Sequence, residues 1–183
     1  MHSTLLTAKT RAALDALAPL QNILEESEWL LHTDDPAVCD FTFGNPHDAP
    51  IPAFVDSLRR HVEPKDPWWY AYKMNEPGPR KVICESLRQW RGVPFEEKDI
   101  FLTSGAIAAL NVVLNVILEQ GDEVIFISPP WFQYEGMIIL AGGVPVRVRA
   151  DLATLDLDLN AVRGALTHRT RAIIVNSPHN PAG

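Results

Sequence analysis

The sequence predicts an α/β fold, a mostly parallel β-sheet with flanking helices. Short apolar segments alternate with helical patterns of about ten to fifteen residues, which is typical of strand–helix–strand units with right-handed crossovers. The segment Glu123–Ser128 also lacks the polar alternation of a half-exposed strand, as expected of a strand covered on both faces. The 183 residues are 46% hydrophobic and 21% charged, a composition that excludes a disordered or collagen-like chain.

The first part of the chain predicts helices joined by proline-rich connections. A helical pattern over residues 4–18 is expected to stop at Pro19. Residues 34–52 contain four prolines and predict an extended connection, and we place a domain transition near residue 45. Further helices are predicted over residues 52–62 and from Pro79 onward, the second with an apolar side formed by Val82, Ile83, Leu87 and Trp90. The loop between these helices carries four aromatic residues, Trp68, Trp69, Tyr70 and Tyr72.

The second part of the chain predicts the sheet. Strands are expected over residues 99–103, 123–128, 144–148 and 171–176. Helices are expected over residues 107–119, 132–141 and 160–167, the last with Asp158 or Asn160 near its cap. The helix over 107–119 is apolar except for a stripe of Asn111, Asn115 and Glu119, so we expect it to be buried on most sides.

Charge and motif content exclude several function classes. The formal charge is −7, from 16 basic and 23 acidic residues, so no nucleic-acid partner is expected. No signal-peptide core and no apolar run of about 18 residues is present, so we expect no membrane association. Two isolated cysteines, Cys39 and Cys84, suit two ordinary free thiols and a cytoplasmic location. The chain lacks dinucleotide, P-loop, zinc-protease and hydrolase motifs, and its histidines show no metal-ligand spacing. A small basic cluster in the sequence suggests a solvated surface, and it consists of Arg147, Arg149, Arg169 and Arg171.

Unusual residues follow three of the predicted strands. Ligands of open α/β sheets bind beyond the carboxyl ends of the strands. Ser104, Gly105 and Ala106 follow the first strand, where a hydroxyl and helix amides can hold a phosphate, although Ser104 could simply cap its helix. Trp131 follows the second strand and could stack on a flat ligand or fill a gap between helix and sheet. The stiff loop of residues 176–183 follows the fourth strand and includes Asn180.

From Phe43 to Gly183 these segments together resemble the amino-terminal part of the class I/II aminotransferases, pyridoxal-phosphate enzymes of fold type I related to aspartate aminotransferase. The resemblance is carried by the sequences Gly-Asn-Pro at 44–46, Gly-Asp-Glu-Val-Ile at 121–125, Pro-x-Trp-x-x-Tyr at 129–134 and Ser-Pro-His-Asn-Pro-Ala-Gly at 177–183. It implies that residues 1–45 form an amino-terminal arm and part of a small domain. Residues 46–183 would then form an incomplete large domain that binds the cofactor.

The resemblance also implies site residues. Ser104, Gly105 and Ala106 would hold the phosphate of pyridoxal 5′-phosphate, Trp131 would stack on its ring, and Asn180 would hydrogen-bond its phenolic oxygen. The region of Gly44 would lie near the substrate carboxylate. Tyr72 would reach the phosphate of the neighbouring subunit in a homodimer, with Tyr70 as the alternative, because residues 75–78 depart from the family's usual spacing.

The resemblance implies transfer of an amino group between an amino acid and a 2-keto acid, but the Schiff-base lysine of the family lies beyond the Asn-Pro-x-Gly loop. None of the chain's lysines has that context, so we expect no catalytic residue among these 183 and no turnover by them alone. Two alternatives stay open. One is a carbon–sulfur β-lyase or another fold-type-I enzyme, and the other is a short non-catalytic chain that binds the cofactor or a partner subunit.

Overall fold

A computed structural model describes residues 5–32, 35–42 and 48–183. The helices are α1 (Ala8–Glu26), α2 (Trp29–His32), α3 (Pro52–Val62), α4 (Pro77–Arg91), a 3₁₀ turn (Glu97–Asp99), α5 (Ala106–Ile117), α6 (Gln133–Leu140) and α7 (Leu159–Ala165). The strands are β1 (Glu123–Ser128), β2 (Val144–Arg149) and β3 (Thr170–Ile174). Among the described residues, no helix has both the length and the apolar character needed to cross a bilayer.

The described residues divide into two compact units. Met1–Val38 and Ser104–Gly183 form the first, which contains the whole sheet, and Cys39–Thr103 form the second, which contains α3 and α4. The domain boundary near residue 45 stays a prediction.

The sheet is parallel, with β1 between β2 and β3. Side chains of β1 alternate between two apolar clusters. Val124 and Phe126 belong to a cluster with residues of α5 and α6, while Ile125 and Ile127 belong to a cluster with Val162 of α7. Helices therefore cover both faces of the sheet, and the predicted α/β fold is confirmed. The uninterrupted apolar sequence of β1 follows from this double burial.

Helix α1 does not stop at Pro19, so the predicted helix end is wrong. The helix begins at Thr7, whose side chain accepts a hydrogen bond from the Thr10 amide, and continues through Pro19 to Glu26. A proline removes one backbone donor from a helix but does not forbid it. Helix α1 packs on α6, where Ala13 lies against Gly136, and this contact supports the helix locally.

The strand predicted over residues 99–103 is also absent. Residues 97–99 form the 3₁₀ turn, and no described segment pairs with the residues that follow. The Leu102 amide instead donates to the Asn75 side chain at 2.7 Å. A strand needs a hydrogen-bonded neighbour, and sequence pattern alone does not supply one.

Two helices are more exposed than the sequence predicted. In α5, Leu114 is buried, but Val112, Val113 and Val116 are exposed, so the expectation that α5 is buried on most sides is wrong for the described chain. Its Asn111 and Asn115 amides donate to carbonyls one turn earlier in the same helix. In α4 the buried residue is Cys84, whereas Val82 and Trp90 of the predicted apolar side are exposed. Both cysteines are free thiols, as expected.

Acidic residues at the amino end of β1 pair with two of the four clustered arginines. Glu123 is only 4% exposed, and its carboxylate accepts from the Thr167 hydroxyl at 2.5 Å and from Arg169 at 2.7 Å. Asp122 accepts from the Glu119 amide at 3.0 Å and from Arg171 at 3.1 Å. The arginines are half exposed, as predicted for a solvated surface, but these two also link the starts of β1 and β3.

These contacts predict acid sensitivity. The Thr167 hydrogen bond, and after it Arg169, lower the pKa of Glu123 despite its burial. The Glu119 amide, and after it Arg171, lower the pKa of Asp122. Because both pKa values are lower in the folded state, the unfolded chain takes up protons first as the pH falls below about 4.5. The free energy of unfolding should therefore decrease with falling pH through this range, and level off below the folded-state pKa values.

Urea denaturation at a series of pH values measures this dependence. We expect Glu123→Gln to make the free energy of unfolding depend less steeply on pH. Adding Asp122→Asn is expected to reduce this pH dependence further. A Glu123→Gln variant with the full pH dependence of the parent protein would contradict the assignment.

Candidate functional site

A short connection joins α5 to β1, and both contribute to one apolar cluster, so we expect the helix to run antiparallel to the strand, with its start toward the carboxyl edge of the sheet. The helix ends at Ile117, and a short connection leads from there to Glu123. Twelve helical residues span about 18 Å, close to the roughly 20 Å of a six-residue strand. From these lengths we expect Gly105 and Ala106 near the level at which β1 ends.

Gly105 gives the start of α5 an unusual backbone conformation. It is the cap residue, with φ 86° and ψ 175°, and as a glycine it supplies no side-chain cap of its own. The alternative that Ser104 caps the helix is therefore wrong. A Cβ atom on Gly105 would meet no heavy atom within 4 Å, so open space adjoins this residue. The first amides of an α-helix have no partner within the helix, and together with the helix dipole they favour an anion here.

Trp131 lies after β1, with one side on the core and part of its ring accessible. It packs against the cluster that contains Leu114 and Phe126. Its ring centroid is 5.6 Å from that of Phe132 and 5.3 Å from that of Tyr134. Trp131 thus packs against helix and sheet residues, as one interpretation of the sequence expected. It is not fully buried, and the other interpretation, a flat ligand on its ring, stays a prediction.

Asn180 lies on the exposed loop that follows β3, where the Gly183 amide donates to the His179 carbonyl. Beside this loop is a cavity of about 210 Å³, lined by Ile127, Leu155, Asp156, Leu157, Val175, Asn176, Ser177, His179 and Gly183. Ser104, Trp131 and Asn180 do not line this cavity. The candidate residues therefore lie outside the lining of this pocket.

The predicted residues of the second unit are only partly described. Tyr72 is fully exposed. Tyr70 is also exposed, at 69%, but its hydroxyl donates to the Val62 carbonyl. The ammonium groups of Lys65 and Lys73 lie over the Trp69 ring, at 5.2 and 5.1 Å from its centroid. Gly44 lies outside the described residues.

The structure adds Tyr134 to the candidate site. The sequence identified this residue only as part of a motif and gave it no role. Its position three residues after Trp131 was the available signal, because such a spacing can bring two side chains together at the start of a helix. Among the described residues, no cluster of three or more histidine, cysteine, aspartate or glutamate side chains could hold a metal ion.

These residues suit a phosphorylated aromatic cofactor. The open space beside Gly105 at a helix start can accept a phosphate group, and the accessible part of Trp131 can accept a flat ring. Ser104 and Asn180 are exposed and can supply hydrogen bonds.

Comparison with known proteins gives a consistent result. The family model "Aminotransferase class I and II" matches residues 75–183. A probable aspartate/prephenate aminotransferase of Thermus aquaticus is 36% identical over 147 residues, which are 78% of this chain and 37% of that protein. An aspartate aminotransferase of Geobacillus stearothermophilus is 35% identical over 108 residues, or 58% of this chain and 28% of that protein. The chain thus spans well under half the length of these curated relatives.

Solved structures agree in fold. The aspartate aminotransferase from Thermus thermophilus with maleate superposes with a TM-score of 0.75 at 28% identity, and the match covers 96% of this chain and 45% of that one. An aromatic aminotransferase from Pyrococcus horikoshii gives a TM-score of 0.69 at 29% identity, covering 76% of this chain and 38% of that one. All four proteins carry aminotransferase names.

Proposed function

The chain belongs to the class I and II aminotransferases, and on that premise we propose that it forms part of the pyridoxal-phosphate site of an enzyme that transfers an amino group between an amino acid and a 2-keto acid. Two observations support this proposal: Trp131 follows the end of β1 and packs on the core cluster, and open space lies beside Gly105 at the start of α5. Enzymes of this family use pyridoxal phosphate, whose ring acts as an electron sink at the carbon that carries the amino group.

Each residue of the proposed site has a definite task. The first amides of α5 bind the phosphate, and the Ser104 hydroxyl donates a further hydrogen bond to it. Trp131 stacks on the ring and keeps water from that face. The Asn180 amide donates to the phenolic oxygen and prevents the ring from rotating within its own plane. Gly44 is proposed to lie near the substrate carboxylate.

The proposed enzyme is a homodimer in which Tyr72 reaches the phosphate of the neighbouring subunit. The full exposure of Tyr72, and the contact of Tyr70 with Val62, favour Tyr72 for this task. The names of the relatives make aspartate the first amino donor to test. A cytoplasmic location stays a prediction.

We propose that none of the five lysines among these residues is the lysine that the reaction needs. Lys9 donates to the Leu140 carbonyl at the end of α6, and Lys98 pairs with Glu96. Lys65 and Lys73 lie over Trp69, and Lys81 is exposed on α4. We therefore propose that a polypeptide of these 183 residues alone lacks the nucleophile and proton carrier of transamination.

Amino-transfer assays test the proposal. The full-length product of the gene that encodes this chain is incubated with pyridoxal phosphate, aspartate and a 2-keto acid, and a polypeptide of these 183 residues is assayed in parallel. We expect the full-length product to form the new amino acid and the 183-residue polypeptide to form none above background. Ammonia and pyruvate released from a sulfur amino acid without an acceptor would identify the β-lyase alternative instead. The proposal fails if the full-length product transfers no amino group from any common amino acid.

A further inference from the structure

We propose that Tyr134 is a positioning residue that fixes the orientation of the Trp131 ring for cofactor stacking. This inference rests on the proposed function, because it assigns Trp131 to the cofactor ring. Tyr134 acts through Trp131 and has no contact of its own with the cofactor in this proposal.

The two aromatic rings meet edge to face. Their centroids are 5.3 Å apart and their planes cross at 74°, which is a favoured geometry for an aromatic pair. The Tyr134 amide also donates to the Trp131 carbonyl at 3.2 Å, so backbone and side chain both join the two residues. Trp131 follows the end of β1 outside any helix or strand, and these two contacts limit its movement.

Tyr134 can serve as a support because it is itself fixed in the core. Its side chain is only 7% exposed, in the first turn of α6, and its ring lies 6.4 Å from that of the fully buried Phe126. Phe132 is also near Trp131, with centroids 5.6 Å apart, but it is 38% exposed and has no comparable support. The support for Trp131 therefore comes from the side of Tyr134, and Phe132 offers a matched control.

Equilibrium dialysis with pyridoxal phosphate on the full-length gene product tests this role through the dissociation constant. We expect Tyr134→Leu to raise the dissociation constant about three- to tenfold, because the loss of the interaction energy of one aromatic pair corresponds to a change of about this size. Tyr134→Phe keeps the ring, so its dissociation constant is expected to stay within about twofold of the parent value. The control Phe132→Leu removes an aromatic neighbour of Trp131 from the exposed side and is expected to change it by less than about twofold.

Introducing Tyr134→Leu into a Trp131→Leu protein distinguishes a positioning role of Tyr134 from a general loosening of the structure around the site. If Tyr134 acts through Trp131, the second substitution should cause no further weakening there. An equal weakening in both backgrounds overturns the inference, as does an unchanged constant in Tyr134→Leu. If Trp131→Leu alone leaves the constant unchanged, the stacking role fails and the inference fails with it. Should Tyr134→Leu not fold, Tyr134→Met fills similar space without a ring and takes its place.

Discussion

Replacing Phe126 with alanine is expected to lower the free energy of unfolding by about 3–5 kcal/mol, the cost of removing a buried aromatic side chain from a core. Phe126 is completely buried at the centre of β1, and it packs in the cluster with Leu114 and Met137. The Arg147 guanidinium lies 6.0 Å from its ring centroid. Because Phe126 also supports Tyr134, the cavity left by alanine would lie directly beneath the candidate site.

Urea denaturation of the purified protein measures this loss, with Phe54→Ala as the control. Phe54 lies on α3 and is 54% exposed, so the same substitution there is expected to cost less than about 1 kcal/mol. If the two alanine substitutions lowered the free energy of unfolding by similar amounts, burial at the centre of β1 would not be a main source of stability.

The parts of the fold that the sequence predicted well are those with a strong local signal in the sequence. The bounds of β1 and α3 match the prediction, because an uninterrupted apolar run and a proline start are local signals. Asp158 caps α7 by accepting from the amides of Asn160 and Ala161, which resolves the two choices that the sequence left open.

The parts that the sequence predicted poorly depend on neighbours that a pattern does not identify. Residues 99–103 have a strand-like sequence, but the described chain offers no strand to pair with them. Helix α5 is apolar on nearly every side, and the sequence could not show which face would pack on the sheet. Pro19 lies inside α1, whose packing on α6 involves Ala13, and the sequence pattern did not identify this neighbour.

The candidate site was predictable in its residue types but not in its geometry. The rule that ligands bind beyond strand ends identified the neighbourhoods of Ser104, Trp131 and Asn180. The conformation of Gly105 and the edge-to-face contact of Tyr134 with Trp131 depend on backbone and ring angles that only the structure supplies.

Gly105→Ala is expected to weaken binding of pyridoxal phosphate by the full-length gene product about tenfold or more. The backbone angles of Gly105 lie in a region that only glycine adopts readily, and another residue there costs about 1–3 kcal/mol. No heavy atom lies within 4 Å of the added Cβ, so the effect would come from backbone strain and not from a collision. The chain can relieve this strain only by turning the start of α5, which moves the amides proposed to hold the phosphate. Equilibrium dialysis measures the change in the dissociation constant.

Gly121→Ala is the matched control because it introduces a similar strain away from the candidate site. Gly121 has φ 90°, also without a heavy atom within 4 Å of an added Cβ, but it lies at the amino end of β1, where its amide donates to the Gly142 carbonyl. We expect Gly121→Ala to lower stability while the dissociation constant stays within about twofold of the parent value. If both variants weakened binding equally, the effect would be one of general stability. A Gly105→Ala protein that bound the cofactor as tightly as its parent would place the phosphate elsewhere than at the start of α5.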